Sequence, residues 1–289
     1  RRKQHCLLKE PAKEMKLKLV KSLWGMEGTL AENVRRIAEA GYVAIEAQVP
    51  APDQLPEFVG LLRQHNLEFV AMVITDGKTP ADHFTSFRAK IEKARSLEPL
   101  QITVHGGKDW WPYELQKEFF AEALEVEQQI GLPVNHETHR GRPMFTPSAT
   151  ARLLREFPEL YINADFSHFA NVCESLLEDQ AKDMALCIAR ARHLHGRIGH
   201  EEGPQVNDPR APEWSAQIAA HFGWWDEIVR VRLKAGAEIF TFNPEFGPPN
   251  YMPTLPHTRQ PMADLWEICL WVARRFETRY CEVTAQQNR

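Results

Sequence analysis

The sequence predicts an α/β fold of the (β/α)8 TIM barrel class. Three observations carry this expectation. Short β-rich runs alternate with amphipathic helical stretches along nearly the whole chain, eight times over. No two strand runs are joined by a hairpin turn signal, which fits crossover-connected strands. The segment after the first strand, "SLWGMEG", is not the G-x-G-x-x-G of a doubly wound dinucleotide fold, which sets the main rival aside. A chain of 289 residues suits one barrel, which typically takes about 250.

The elements follow in order. The first strand run is "LKLVKS" from Leu17. Behind it comes "TLAENVRRIAEAG", with Leu30, Val34, Ile37 and Ala38 on one helical face and Gly41 as the stop. "YVAIEAQ" from Tyr42, "LEFVAMVI" from Leu67 and "LQITVHG" from Leu100 are the next three strands. "AEALEVEQQIG", stopped at Gly131, leads into the fifth, "PVNHET" from Pro133. "TPSATARLLREFP", stopped at Pro158, leads into the sixth, "LYINAD" from Leu160. "RHLHGRI" from Arg192 and "AEIFTFNPE" from Ala237 complete the set. Two long Pro- and Gly-rich connections, "GRIGHEEGPQVNDPRAPEW" and "FGPPNYMPTLPHTRQP", follow the last two strands and are expected to wall a pocket. The barrel is expected over residues 16–289, with residues 1–15 as an N-terminal extension outside it.

Composition bounds the function. With 43% hydrophobic residues the chain can bury a sizeable core, and a net charge of −4 offers no field for a phosphate backbone. Cys6, Cys173, Cys187, Cys269 and Cys281 are odd in number and form no C-x-x-C pair, which fits a reducing compartment. No apolar run approaches the roughly 20 residues of a membrane span, and the polar, basic N-terminus does not read as a secretory signal. A cytoplasmic protein without membrane or nucleic-acid partners is expected.

In a barrel of this class the chemistry sits at the C-terminal ends of the strands. Those ends carry Trp24, Glu46, Asp76, His105, Glu137 with His139, Asp165 with His168, His195, and Glu245. A single acidic strand end is more often a helix cap or a loop salt bridge. Glu137, Asp165, His195 and Glu245, however, end four consecutive strands and can aim at one point. Three carboxylates converging there would repel one another unless a cation joined them. Three oxygen donors with one imidazole suit one divalent metal ion, Mn2+ or Mg2+ ahead of Co2+ or Zn2+. His193 is read as a core histidine, and His5, His65, His83, His221 and His257 as surface residues. Of the aromatic residues, Trp24 is the candidate for stacking on a substrate, while Trp110-Trp111 and Trp224-Trp225 are read as packing or oligomer contacts.

The segments "GYVAIEAQ", "ITVHGG", "HETHRG", "INADFSHF", "HLHGRIGHEEGPQ" and "FNPEFG" resemble the xylose isomerase-like barrel superfamily, specifically its sugar phosphate isomerase/epimerase group. The resemblance covers residues 16 to 282. It implies that Glu137, Asp165, His195 and Glu245 are metal ligands and that Glu137 and Glu245 are the catalytic acid and base. It places His168, three residues beyond Asp165, against the substrate; His105, His139, Arg197 and Trp24 are read as further substrate contacts. The implied reaction is isomerisation or epimerisation of a sugar, keto-sugar or sugar acid through a metal-stabilised enediolate. The partner is then a small sugar-like molecule, and association into a homo-oligomer is common in the superfamily.

Departures from the family pattern shape the alternatives. Pro143 stands in the stretch where the ketose 3-epimerase branch has a further glutamate, and Glu201 where it has an arginine. Epimerisation of a free ketohexose is therefore not the favoured case, and the same site could host a lyase or dehydratase. An endonuclease IV-like reading lacks parts: no histidine ends "AMVITDGK", and Arg210 stands where a D-x-H pattern starting at Asp208 needs a ligand. A non-catalytic sugar-binding subunit is the third class.

Overall fold

The computed structural model describes residues 15–287, and they form a closed barrel of eight parallel strands in sequence order. The strands are β1 (Lys16–Ser22), β2 (Ala44–Gln48), β3 (Glu68–Ile74), β4 (Gln101–His105), β5 (Val134–Glu137), β6 (Ile162–Ala164), β7 (Ala191–His195) and β8 (Ile239–Asn243). Closure comes from β1 pairing with β8, with Leu17 opposite Phe240 and Leu19 opposite Phe242. Residues 1–14 lie outside the described residues, whereas Met15 is buried and its carbonyl accepts a hydrogen bond from Tyr280 Oη at 2.5 Å.

The helices are α1 (Leu30–Glu39), α2 (Leu55–Gln64), α3 (Pro80–Arg95), α4 (Tyr113–Ile130), α5 (Pro147–Glu156), a short α6 (Ser167–Val172), α7 (Ala181–Arg190), α8 (Ser215–Lys234) and α9 (Leu265–Gln287). Thr29 and Thr79 open α1 and α3 with reciprocal side-chain caps to Glu32 and Asp82, and Thr146 caps α5. Gly131 closes α4 at φ +67°, a conformation that costs a glycine little. Each cap fixes where a helix begins or stops, and so where the preceding strand releases its chain at the upper rim. None of these helices is long and apolar enough to cross a membrane.

Apolar side chains on the outer face of the strands pack against the helices in one continuous core, Phe240, Phe242, Phe276 and Trp225 among them. The barrel interior is different. At its base Val20, Ala44 and Val70 form a small apolar plug. Above it the inward positions turn polar: Gln101 bonds both Thr241 (3.1 Å) and Asn135 (3.2 Å), and His193 Nδ1 lies 2.7 Å from Thr241 Oγ1. These bonds pair part of the polar interior, while Thr103 Oγ1, Asn135 Oδ1 and Asn163 Oδ1 make none among the described residues.

Two expectations about surface histidines are corrected here. His83 is 1% exposed and His221 is fully buried. His83 Nδ1 lies 2.7 Å from Thr75 Oγ1, and its ring meets Trp111 edge-on. His221 Nδ1–H donates to the Gln217 carbonyl at 2.8 Å while its Nε2 accepts from Gly199 N–H at 3.2 Å. Both sit on helix faces that loops cover, which helical periodicity alone does not reveal. His257 is exposed and His65 half-buried, and His5 lies outside the described residues. Of the tryptophan pairs, Trp111 and Trp225 are buried while Trp110 is 69% exposed.

Candidate metal centre and substrate cavity

Glu137 ends β5, Asp165 follows β6 directly, His195 ends β7, and Glu245 stands two residues past β8. The register pairs Glu137 with Asn163 and His195 with Asn243, so Asp165 and Glu245 each stand two residues beyond those partners, at the rim. One donor atom from each of the four lies within 4.8 Å of the others, and all four side chains are buried. His195 Nδ1 is 3.2 Å from Glu137 Oε2 and 3.1 Å from Glu245 Oε2. Glu137 and Glu245 also line a cavity of about 480 Å³, a size suited to a small-molecule ligand.

The donors fit a divalent cation. Glu137 Oε1, Asp165 Oδ2 and His195 Nδ1 are buried and make no hydrogen bond, although charged neighbours stand close by. Buried polar atoms left this way are costly, and a cation is the partner that three carboxylate groups and one imidazole share. His195 is also oriented from behind. Its Nε2 lies 3.0 Å from Glu46 Oε2, an oxygen that also takes Asn243 Nδ2 at 2.8 Å and faces His193 Nε2 at 3.2 Å. A carboxylate behind a histidine fixes its tautomer and leaves the other nitrogen free for a metal. Glu46 was noted only as a strand end in the sequence; its second role depends on pointing inward below His195.

Electrostatics in the site run against burial. Desolvation opposes charge on Glu137, yet His105 and His195 hold its carboxyl well below the usual range. Burial likewise opposes the His195 imidazolium, and Glu245, Glu46 and Glu137 together raise its pKa well above normal. Asp165 is pushed up to about 6, first by burial and then by Glu137 and Glu245, against the pull of Arg197. Its Oδ1 accepts from Ser167 N–H (3.1 Å) and Oγ (2.5 Å), which leaves Oδ2 as the free donor.

Arg197 is 2% exposed and belongs to the same cluster. Its Nε donates to the Glu245 carbonyl at 2.8 Å, and its Nη2 bonds the Glu245 carboxylate and lies 3.2 Å from Asp165 Oδ2. The carboxylates are therefore not bare: Arg197 supplies one fixed positive charge, which the sequence did not foretell.

The other expected contacts separate into two layers. His105 Nε2 lies 2.6 Å from Glu137 Oε2, and His105, His139, Arg197 and Trp24 all line the cavity. His139 has its pKa lowered to about 3 by burial and by His105, so it stands as a neutral imidazole. His168 does not line the cavity. It is fully buried behind His139, with ring centroids 3.9 Å apart, and its Nε2 faces Asp165 Oδ2 at 3.6 Å and Arg197 Nη1 at 3.4 Å. Trp24 is 39% exposed and meets Tyr251 edge-on at 5.2 Å. A Cβ on Gly247 would come within 2.3 Å of the indole, so the absence of a side chain there lets Trp24 lie against the loop after β8.

Two further wall residues were not singled out as substrate contacts, although one lies in a loop expected to wall the pocket. Tyr251 reaches in from the long loop after β8, and its hydroxyl is 3.4 Å from His139 Nε2. Arg142, from the loop after β5, donates to the Gly107 carbonyl at 3.0 Å and lines the cavity without a carboxylate within 4.0 Å among the described residues. Arg142 stands just past the quoted "HETHRG", and Tyr251 lies in the loop "FGPPNYMPTLPHTRQP" that was expected to wall the pocket. Asp208, by contrast, is engaged by Arg210 through Nε at 2.8 Å and Nη2 at 2.7 Å, away from the cluster.

Comparison with known proteins agrees with this architecture. A family model described as xylose isomerase-like TIM barrel matches residues 34–211, more than half of the chain. No curated protein matches. Among solved structures, a xylose isomerase-like TIM barrel protein from Mycobacterium smegmatis in complex with magnesium is 12% identical over 96% of this chain and 100% of its own, at a TM-score of 0.61. D-allulose 3-epimerase from Methylomonas sp., in complex with D-allulose, is 15% identical over 93% and 99%, with a TM-score of 0.58. Endonuclease IV from Thermus thermophilus is 16% identical over 92% and 99%, with a TM-score of 0.53. At such identities the structures share the fold, and the family match carries the assignment: this chain belongs to the xylose isomerase-like TIM barrel family.

Proposed function

We propose that the protein is a metal-dependent isomerase or epimerase of a sugar-like hydroxycarbonyl compound, with Glu137, Asp165, His195 and Glu245 holding one divalent ion. The observation that carries this reading is the convergence of one donor atom from each of those four within 4.8 Å, beside a cavity sized for a small molecule that Glu137 and Glu245 line. A bound Mn2+ or Mg2+ supplies the positive charge that polarises a carbonyl and acidifies the neighbouring C–H. The likeness to D-allulose 3-epimerase supports the same chemistry.

The chain's own groups provide the rest. Glu137 ends β5 and Glu245 stands two residues past β8, both lining the cavity, where one carboxylate takes a proton from carbon and the other returns one. His105 Nε2 stands 2.6 Å from Glu137 Oε2, close beside that carboxylate. Neutral His139 offers a hydrogen bond to a substrate hydroxyl, and Arg142, bonded only to the Gly107 carbonyl among the described residues, offers its remaining N–H groups to a carboxylate or hydroxyl. Leu23, Trp24, Met72, Ile74 and Tyr251 form an apolar wall that displaces water and presents an aromatic face to a sugar ring. The nuclease reading is disfavoured because Arg210 occupies Asp208, a residue that reading needs for metal.

The test is solvent exchange. The Mn2+-loaded protein is incubated in D2O with a panel of ketoses, keto-sugars and sugar acids, and deuterium entry beside the carbonyl is followed by NMR. Exchange into at least one substrate, falling about 10²-fold or more in Glu137→Gln and Glu245→Gln, is expected. Exchange that survives both substitutions would remove these carboxylates from the chemistry.

A further inference from the structure

A second cavity of about 250 Å³ lies on the same rim, between the loop after β1 and the start of α9, and it shares Trp24 with the metal cavity. Lys21 lines it. This lysine is 2% exposed, and its ammonium makes one hydrogen bond, to the Ser22 carbonyl at 2.7 Å. No acidic side chain stands within 4.0 Å of it among the described residues. An ammonium carries three donors, and a buried one without a counter-ion is expensive to keep. The usual resolution is an anion.

The surroundings agree with that. Arg36 reaches the same cavity and lies over the Trp266 ring at 4.1 Å, which fixes its guanidinium as a second positive group. The N-terminus of the long α9 opens onto the cavity at Leu265. Two acids are present, Glu27 and Asp264, but both are exposed at the edge, and Asp264 is occupied in capping Glu267 N–H at 3.0 Å. Trp24, Met26 and Trp266 give the cavity apolar sides.

We propose that the Lys21 cavity is an anion subsite that takes a carboxylate or phosphate group, with Lys21 as its buried counter-charge and Arg36 at its edge. The anion is either free or the far end of a substrate whose sugar portion lies across Trp24 in the metal cavity. The subsite involves none of the four metal-binding candidates, so it stands or falls separately from the metal-dependent reading.

The experiment titrates the full chain with inorganic phosphate at constant ionic strength and follows tryptophan fluorescence, to which Trp24 and Trp266 report. Saturable binding is expected in the wild type, about tenfold or more weaker in Lys21→Met and retained in Lys21→Arg and in Arg142→Met. No binding by the wild type, or equal binding by Lys21→Met, overturns the proposal; so does loss in Arg142→Met, which would put the anion in the metal cavity. Should Lys21→Met not fold, a bromide soak of wild-type crystals decides: an anomalous peak at Lys21 Nζ supports the site, and its absence refutes it. The two sources are separated by titrating D-fructose 6-phosphate beside phosphate. Tighter binding of the sugar phosphate assigns the subsite to a substrate's anionic end, and equal binding assigns it to a free anion.

Discussion

At the residue scale, the most consequential side chain outside the four proposed metal ligands is Glu46. Its Oε2 is shared by His195 Nε2, His193 Nε2 and Asn243 Nδ2, so it sets the direction in which His195 Nδ1 points. Burial opposes charge on Glu46, yet its neighbours His195 and His193 hold the carboxyl well below the usual range. Glu46→Gln keeps the volume but removes the charge and offers His195 an amide instead. Mn2+ affinity measured by competition with a chelator should fall about 10–100-fold, with the far-ultraviolet circular dichroism unchanged. An unaltered affinity would show that His195 needs no support from behind. Legibility at this scale followed chain geometry. Glu137, Asp165, His195 and Glu245 were readable because each ends a strand, and strand ends share a rim. Glu46, Arg197 and Arg142 were not readable in their observed roles, because whether a side chain faces the axis, a partner or the cavity depends on distances across the barrel. His168 shows the same limit, since three residues of spacing from Asp165 brought it near the site but behind His139 rather than onto the cavity.

At the scale of elements, α8 is tied to the loop after β7 by one histidine, and this makes a pH-dependent joint. His221 donates through Nδ1–H to Gln217 O and accepts at Nε2 from Gly199 N–H, a pattern available only to the neutral ring. A second proton would place an N–H against an N–H, and burial already lowers the pKa from 6.5 to about 4. The unfolded chain therefore binds a proton at His221 before the folded chain does. This contribution is full above pH 6.5 and is lost as pH falls toward 4, by about 3 kcal/mol at most. Urea unfolding at pH values across that window should show a shallower pH slope for His221→Gln than for the wild type; identical slopes would sink the assignment. The same helix shows why element-level reading stopped short. The strand–helix alternation was plain in the sequence, since hydrophobic period and the stops at Gly41, Gly131 and Pro158 are local signals. That α8 turns His221 inward is set by the irregular segment around Gly199, where a Cβ would meet Ser167 at 2.6 Å. No periodicity encodes such a contact. The short α6 went unforeseen for a related reason: six residues are too few to show a helical period.

At the scale of the whole molecule, the proposed ligands come from β5, β6, β7 and β8, half of a closed barrel whose last strand seals against its first. An ion held by all four couples them, since opening any one of these strands releases a ligand and, through β8, loosens the seam with β1. Binding to the folded state alone then stabilises the barrel as a unit, by about 2.7 kcal/mol when free ion stands at 100 times its dissociation constant. Spread over a barrel of this size, that raises the melting temperature by roughly 4–5 °C. Calorimetry with Mn2+ against chelator should show one transition that moves upward, and the movement should shrink in Asp165→Asn, which keeps the fold's volume but loses an anionic donor. If the ion instead split melting into two transitions, the four strands would not be acting together. If it moved nothing at all, the groups gathered at the rim would be a buried ion-pair network centred on Arg197 and His195 rather than a metal centre.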